Sequence, residues 1–180
     1  MKAIMQENKK YLLFIILLIA IDLISKVIMD NTLKLSSLSV YELAALPSQF
    51  NLILMYNAEN KEVFGIKEYW FTVFVSFPIF LIFLYNLIIN KNVFFKVAAC
   101  LIIAGYSNLI EIGFKGHAVD FIFIKSLGKL PFLQSDHLYI FNIADIYIVL
   151  GSAMWFIAFI IMVSKVVVDI FKKLRASKQA

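Results

Sequence analysis

The sequence predicts an all-α membrane protein, with four transmembrane helices and a small extracytoplasmic cap that contains β-strand. Three observations predict it. The 180 residues are 62% hydrophobic and 16% charged, with a mean hydropathy of +0.88; soluble domains run at roughly 45–50% apolar and about 25% charged. Four runs approach the ~20 apolar residues that a helix needs to cross a bilayer. The long connection 30–68 contains SQFNLILMYN, which puts Phe50, Leu52, Leu54 and Tyr56 at a period of two and reads as strand.

The composition excludes a soluble chain, a disordered one and a nucleic-acid binder. The length fits a single integral membrane domain over residues 1–180. The net charge of +5 comes mostly from lysine, which suits the cytoplasmic side of a bilayer better than DNA. The single cysteine, Cys100, excludes an internal disulfide and lies in an apolar run as a core residue.

The spans are expected at about 11–29, 69–90, 97–114 and 141–163. The first opens with the uncharged run YLLFIILLIAI and then meets Asp22 and Lys26. These charges stand where a cleaved signal peptide would carry small residues, so the segment is read as a retained span. The second has no charge, and Pro78 in its middle is a candidate kink. The third carries Asn108 and Glu111 in its second half, and the fourth begins with Asn142 and Asp145. Residues 1–10, 91–96 and 165–180 hold ten of the 17 Lys and Arg, against six in the outer loops 30–68 and 115–140. The positive-inside rule therefore puts both termini in the cytoplasm. SVYELAAL, ahead of the strand, is expected as a short helix on the membrane surface. The aromatic edges Tyr69–Trp70 and Trp155 read as lipid-facing or interfacial residues, and the basic tail as an anchor to acidic lipid.

Charges inside a span cost at least ~2.5–3.5 kcal/mol each and mark functional interiors. Asp22 and Lys26 are spaced i,i+4, in the favourable order for an ion pair. Two readings fit them: a self-neutralising pair with Lys26 snorkelling to the surface, or a tie from the first span to a site. Asp120 follows the outer end of the third span, and Asp145 lies within the first turn or two of the fourth, at the same depth. Two carboxylates in low dielectric share a proton, so one serves as base and the other as acid, as aspartyl hydrolysis of a peptide bond requires. The plain alternative is a solvated loop acid and a helix cap.

The residues now resemble a known family. DLISK (Asp22 to Lys26), GYSNLIE (Gly105 to Glu111), GHAVDFI (Gly116 to Ile122) and FNIAD (Phe141 to Asp145) are similar, in this order, to the motifs of lipoprotein signal peptidase, signal peptidase II. The resemblance runs from the first span to the fourth. It implies four helices, cytoplasmic termini and an external β-cradle. It also implies an aspartyl endopeptidase of the bacterial inner membrane, with Asp120 and Asp145 as the catalytic pair. The substrate it implies is a prolipoprotein whose cysteine carries diacylglycerol; membrane lipid is the other partner, and no metal or organic cofactor is needed. Asp22, Lys26, Asn57, Asn108 and Asn142 would support the site or bind substrate. YN at Tyr56–Asn57 with VFG at Val63 to Gly65 resembles the family's asparagine–glycine–phenylalanine segment, and Asn60 is the other candidate for its asparagine.

There are departures. Glu111 stands where the family has aspartate, and Ile112 where it has arginine. Lys115, one turn further on, is the first candidate to replace that cation, with Lys125 and Lys26 behind it. Ile146 replaces a frequent serine, and the segment between the two aspartates is longer than usual. Other chemistries fit less well. His117 and His137, beside Asp120 and Asp136, fall short of a zinc protease motif. Ser107 lacks a nearby base. A non-proteolytic paralogue or small transporter would instead rely on Asp22, Lys26 and Glu111 as a relay.

Overall fold

The computed structural model describes residues 2–33, 48–57, 62–63, 66–124 and 140–177. Five helices occur among them: α1 Lys2–Thr32, α2 Glu68–Ile89, α3 Val93–Gly105, α4 Ser107–Lys115 and α5 Ile143–Ser177. Four apolar segments are long enough to cross a membrane, with α3 and α4 together forming one of them. The segment expected at 39–46, and the residues Asn60, Gly65, Lys125, Asp136 and His137, lie outside the described residues.

The third span is not one uninterrupted helix. Tyr106 is a turn residue, and its N–H reaches back only to Ile103 O at 3.2 Å. Gly105 and Ser107 flank it, and Gly/Ser pairs are a common cause of such breaks. The break falls two residues before Asn108. The α4 helix ends at Gly116, whose φ of +80° is the left-handed cap that glycine adopts without strain; its N–H bonds Ile112 O at 2.8 Å.

The α3–α4 span is the centre of the bundle: 56% of it is buried, against 22% or less for the others. Small residues line it, with Ala98, Ala99, Cys100 and Ala104 fully buried. Small side chains let helix backbones approach in lipid, where no hydrophobic driving force pulls helices together. The closest approach is to α5. A Cβ on Gly105 would stand 3.0 Å from Ala144 O, and one on Gly151 would stand 2.9 Å from Ala98 O. Trp155, expected to be lipid-facing or interfacial, is half-buried; it packs edge-on between Phe83 and Phe95 and stacks on the exposed Phe159.

At one end of the bundle lies an antiparallel sheet of β1 (Phe50–Asn57), β4 (Ala118–Ile124) and β5 (Ile140–Phe141), with β4 in the middle. A two-stranded hairpin of β2 (Glu62–Val63) and β3 (Ile66–Lys67) stands apart from it. The strand over 50–57 is present, but its single apolar face is not. A register shift between Leu52 and Met55 breaks the alternation. Phe50, Leu52 and Tyr56 are exposed, while the adjacent Ile53 and Leu54, which the shift sets together opposite Phe121, are both buried. Ile53 packs with Phe123 and Ile140. Leu54 joins Val119, Phe121, Met29 and Leu33, which seats the sheet on the end of α1. Strands β4 and β5 lie in what reads from sequence as a loop, so Asp120 belongs to the central strand, opposite Met55.

Candidate active site

A cavity of about 380 Å³ opens where the sheet meets α2, α4 and α5. Asn57, Asn108, Asp120 and Asp145 form its polar end, and Ile79, Phe83, Ile102 and Ile148 its apolar end. The two aspartates reach this wall from different directions, Asp120 from the middle of β4 and Asp145 from the first turn of α5.

Asn142 joins them. It precedes α5, and its Oδ1 accepts the Asp145 N–H at 3.2 Å, while its own N–H donates to Asp145 Oδ2 at 3.0 Å. This reciprocal pair is a capping box built on asparagine and aspartate. The Asn142 Nδ2 is left free for Asp120 Oδ1. So Asp145 does cap the helix, and it faces the cavity as well. Burial and the nearby Asp145 charge push the Asp120 carboxyl up to about 7, against hydrogen bonds from Asn142 and Asn57 and the charge of Lys26.

Beneath the pair lies a network of buried charge. Lys26 is 1% exposed, so it does not snorkel. Its Nζ bonds Asp22 and Glu111, each at 2.9 Å, and donates to Asn108 Oδ1. The Asn108 Nδ2 in turn donates to Asp145 Oδ1 at 2.8 Å. Asp22 also accepts Ser107 Oγ at 2.7 Å and the Ala144 N–H at 2.9 Å. It thereby satisfies an otherwise orphaned donor at the start of α5. Glu111 accepts the Val119 N–H at 3.3 Å, beside Asp120, and Lys115 Nζ at 2.9 Å.

The structure thus brings Asp22, Lys26, Asn57, Asn108, Asn142, Asp120 and Asp145 into one connected group. Lys115 is the exception. Its side chain is 43% exposed, bonds Glu111, and is absent from the cavity wall. Spacing alone suggested that it takes the place of a cation at 112, but the i,i+4 geometry gives it to Glu111 instead. Ile112 itself lines the cavity. Ser107 spends its hydroxyl on Asp22, and the His117 ring lies 4.4 Å from that of Tyr56, whose hydroxyl donates to Asp30 Oδ1 at 2.6 Å. Glu111 and the Val119 and Ala144 N–H groups are contributors that sequence reading did not place at the site. The Asn108–Glu111 spacing of one turn was the available signal for the first; backbone donors leave none.

Four apolar spans around a cavity capped by a small sheet are the architecture of a bacterial membrane enzyme. Two solved structures of such enzymes, both obtained by the in meso method, superpose with TM-scores of 0.65 and 0.64 at 25% and 26% identity, covering 87% and 83% of this chain and 90% and 92% of theirs. The sequence model of signal peptidase II matches residues 14–161, and the chain belongs to that family of proteases. A lipoprotein signal peptidase of Clostridioides difficile (strain 630) is 29% identical over 148 residues, 79% of this chain and 88% of the relative.

Proposed function

We propose that this protein is an aspartyl endopeptidase of the bacterial inner membrane. It removes signal peptides from prolipoproteins by cutting before a cysteine that already carries diacylglycerol. The observation that carries the reading is the pair Asp120 and Asp145 on one cavity wall, joined through the Asn142 amide. With both termini cytoplasmic, as the lysine distribution favours, the sheet and the pair sit at the outer leaflet, where a lipid-bearing cysteine would lie. The apolar end of the cavity suits acyl chains or an apolar signal segment.

In this chemistry one carboxylate takes a proton from water as the water oxygen adds to the scissile carbonyl carbon. The other carboxyl supplies a proton to the carbonyl oxygen. When the C–N bond breaks, the leaving amine takes a proton from the pair. Asn57 and Asn108 line the same wall and are placed to orient the substrate backbone. The transport reading finds less support. Asp22, Lys26 and Glu111 are absent from the cavity wall and are satisfied by one another.

The test is cleavage of a diacylglyceryl-modified prolipoprotein by the purified protein in lipid, with an unmodified precursor alongside. Asp120→Asn and Asp145→Asn should each lower turnover by at least ~10²-fold while inserting normally. Near-normal turnover in either variant would remove the aspartyl mechanism, and equal cleavage of both precursors would remove the lipid requirement.

A further inference from the structure

The geometry points to a fixed division of labour within the pair: Asp145 carries the resting charge and acts as the base, and Asp120 carries the shared proton and acts as the acid. This assignment rests on the aspartyl-protease reading above. The oriented donors on Asp145, the helix end behind it and its bridge to Lys26 carry it.

An ammonium group has donors only. Facing Lys26 Nζ, the Asn108 amide must therefore present its oxygen, and its NH₂ is left for Asp145 Oδ1 at 2.8 Å. The other oxygen of Asp145 accepts the backbone N–H of Asn142 at 3.0 Å. Both oxygens of Asp145 thus face N–H donors whose orientation is dictated from behind. A donor on each oxygen stabilises the carboxylate over the protonated acid. The group also sits in the first turn of a 35-residue helix, where the helix dipole favours an anion.

Asp120 is held differently. It lies on a strand, with no helix terminus behind it and only 5% of its surface exposed. The Asn142 amide is again oriented from behind, since its oxygen takes the Asp145 N–H; its NH₂ reaches Asp120 Oδ1, and Asn57 is the second partner. The charged groups facing the pair are Lys26 and Asp22, both from α1, and the neutral polar ones are Asn57 of β1, Asn108 of α4 and Asn142. Lys26 reaches Asp145 through the single bridge of Asn108, so the network's cation supports the Asp145 anion more directly than it supports Asp120.

The step that follows is balanced. A water O–H bond breaks, its proton goes to Asp145, and the new C–O bond forms as the Asp120 proton moves to the carbonyl oxygen. On collapse the C–N bond breaks, the Asp145 proton goes to the leaving nitrogen, and a hydroxyl proton of the diol returns to Asp120. The pair ends as it began.

The pH profile of kcat/KM for a lipid-modified precursor, measured on the full chain in lipid nanodiscs, tests this. Its acid limb reports the base and its alkaline limb the acid. Asn108→Ala withdraws a donor from Asp145 and should move the acid limb up by about one pH unit, with the alkaline limb nearly still. Asn57→Ala withdraws a partner from Asp120 and should move the alkaline limb up by a similar amount. The opposite pairing of variants with limbs, or equal movement of both limbs, overturns the assignment. Infrared difference spectra between pH 5 and pH 9 provide a measurement independent of turnover. The protonated-carboxyl band lost on this titration should be absent in Asp120→Asn and persist in Asp145→Asn; the reverse overturns the assignment. Substantial turnover by either Asp→Asn variant is a different failure, that of the aspartyl reading itself.

Discussion

Lys26→Met keeps the apolar stem of a side chain that is 1% exposed and removes its ammonium. The ammonium bonds Asp22 and Glu111 at 2.9 Å each, and Asn108 as well. Its loss leaves two buried carboxylates with one cation fewer between them. Among the described residues, Asp22 keeps only neutral donors, Ser107 and the Ala144 N–H, while Glu111 keeps Lys115 and the Val119 N–H. Removing one partner of a buried pair costs about 3–5 kcal/mol, a large share of a total stability of about 5–15 kcal/mol. Lys115→Met is the internal control. It deletes a cation from the same Glu111, yet that side chain is 43% exposed, so the pair is worth at most ~1 kcal/mol. Denaturant or thermal unfolding of both variants in one detergent should therefore separate them by at least ~2 kcal/mol. Adding Glu111→Gln to Lys26→Met should recover part of the loss, because it removes one of the stranded charges. If Lys26→Met falls within ~1 kcal/mol of Lys115→Met, the buried network does not hold the three helices together in the way its contacts suggest.

Gly151→Val should lower stability by about 1–3 kcal/mol or more, read as a fall in unfolding temperature, because its Cβ would meet the Ala98 carbonyl at 2.9 Å and the backbone of α3 cannot yield. Asp120 should make stability depend on pH. Its carboxyl titrates near 7 in the fold and near 3.9 in the unfolded chain, so the stability it contributes is present at pH 4 and lost as pH rises through 7. Asp120→Asn should then leave stability unchanged at pH 4 and raise it at pH 8, by up to ~4 kcal/mol; no difference between the two pH values in calorimetry would refute this. Ile112→Arg places a cation in the cavity wall and should pull the alkaline limb of the cleavage profile to lower pH, whereas Lys115→Ala should leave turnover within about twofold of wild type.

The spans are legible in the sequence because an uncharged apolar run of some twenty residues has few other uses, and counting residues along such runs brings Asp120 and Asp145 to the same end of their helices, where both line one cavity. The strand at 50–57 is legible as a strand, but not its faces, since a register shift at Leu52 to Met55 depends on the partner and leaves no mark on the alternation itself. The β4 strand is hard to read from sequence, although AVDFIFI is rich in β-branched and aromatic residues and follows the Gly116 cap. A short apolar stretch beside a span is equally a frayed helix end. Pairing at i,i+4 finds Asp22–Lys26 and Glu111–Lys115, which are local. The bond that joins the two, Lys26 to Glu111, spans nearly half of the chain and appears only once the helices are packed. That bond decides between a snorkelling lysine and a buried one.

The capping box at the start of α5 uses the same atoms for folding and for the site. The Asn142 amide closes the helix end with one side of its group and holds Asp120 with the other, and the Asp145 carboxylate returns the cap while facing the cavity. Apart from the isosteric Asp145→Asn, which keeps an acceptor for the Asn142 N–H, substitutions there disturb ligand recognition and weaken the first turn of the helix together. An inhibitor that drew its affinity from the Asn142 and Asp145 groups would therefore leave the organism few escapes. Resistance would have to arise on the apolar side of the cavity, at Ile79, Phe83 or Ile148, where one aliphatic or aromatic side chain can replace another at small cost.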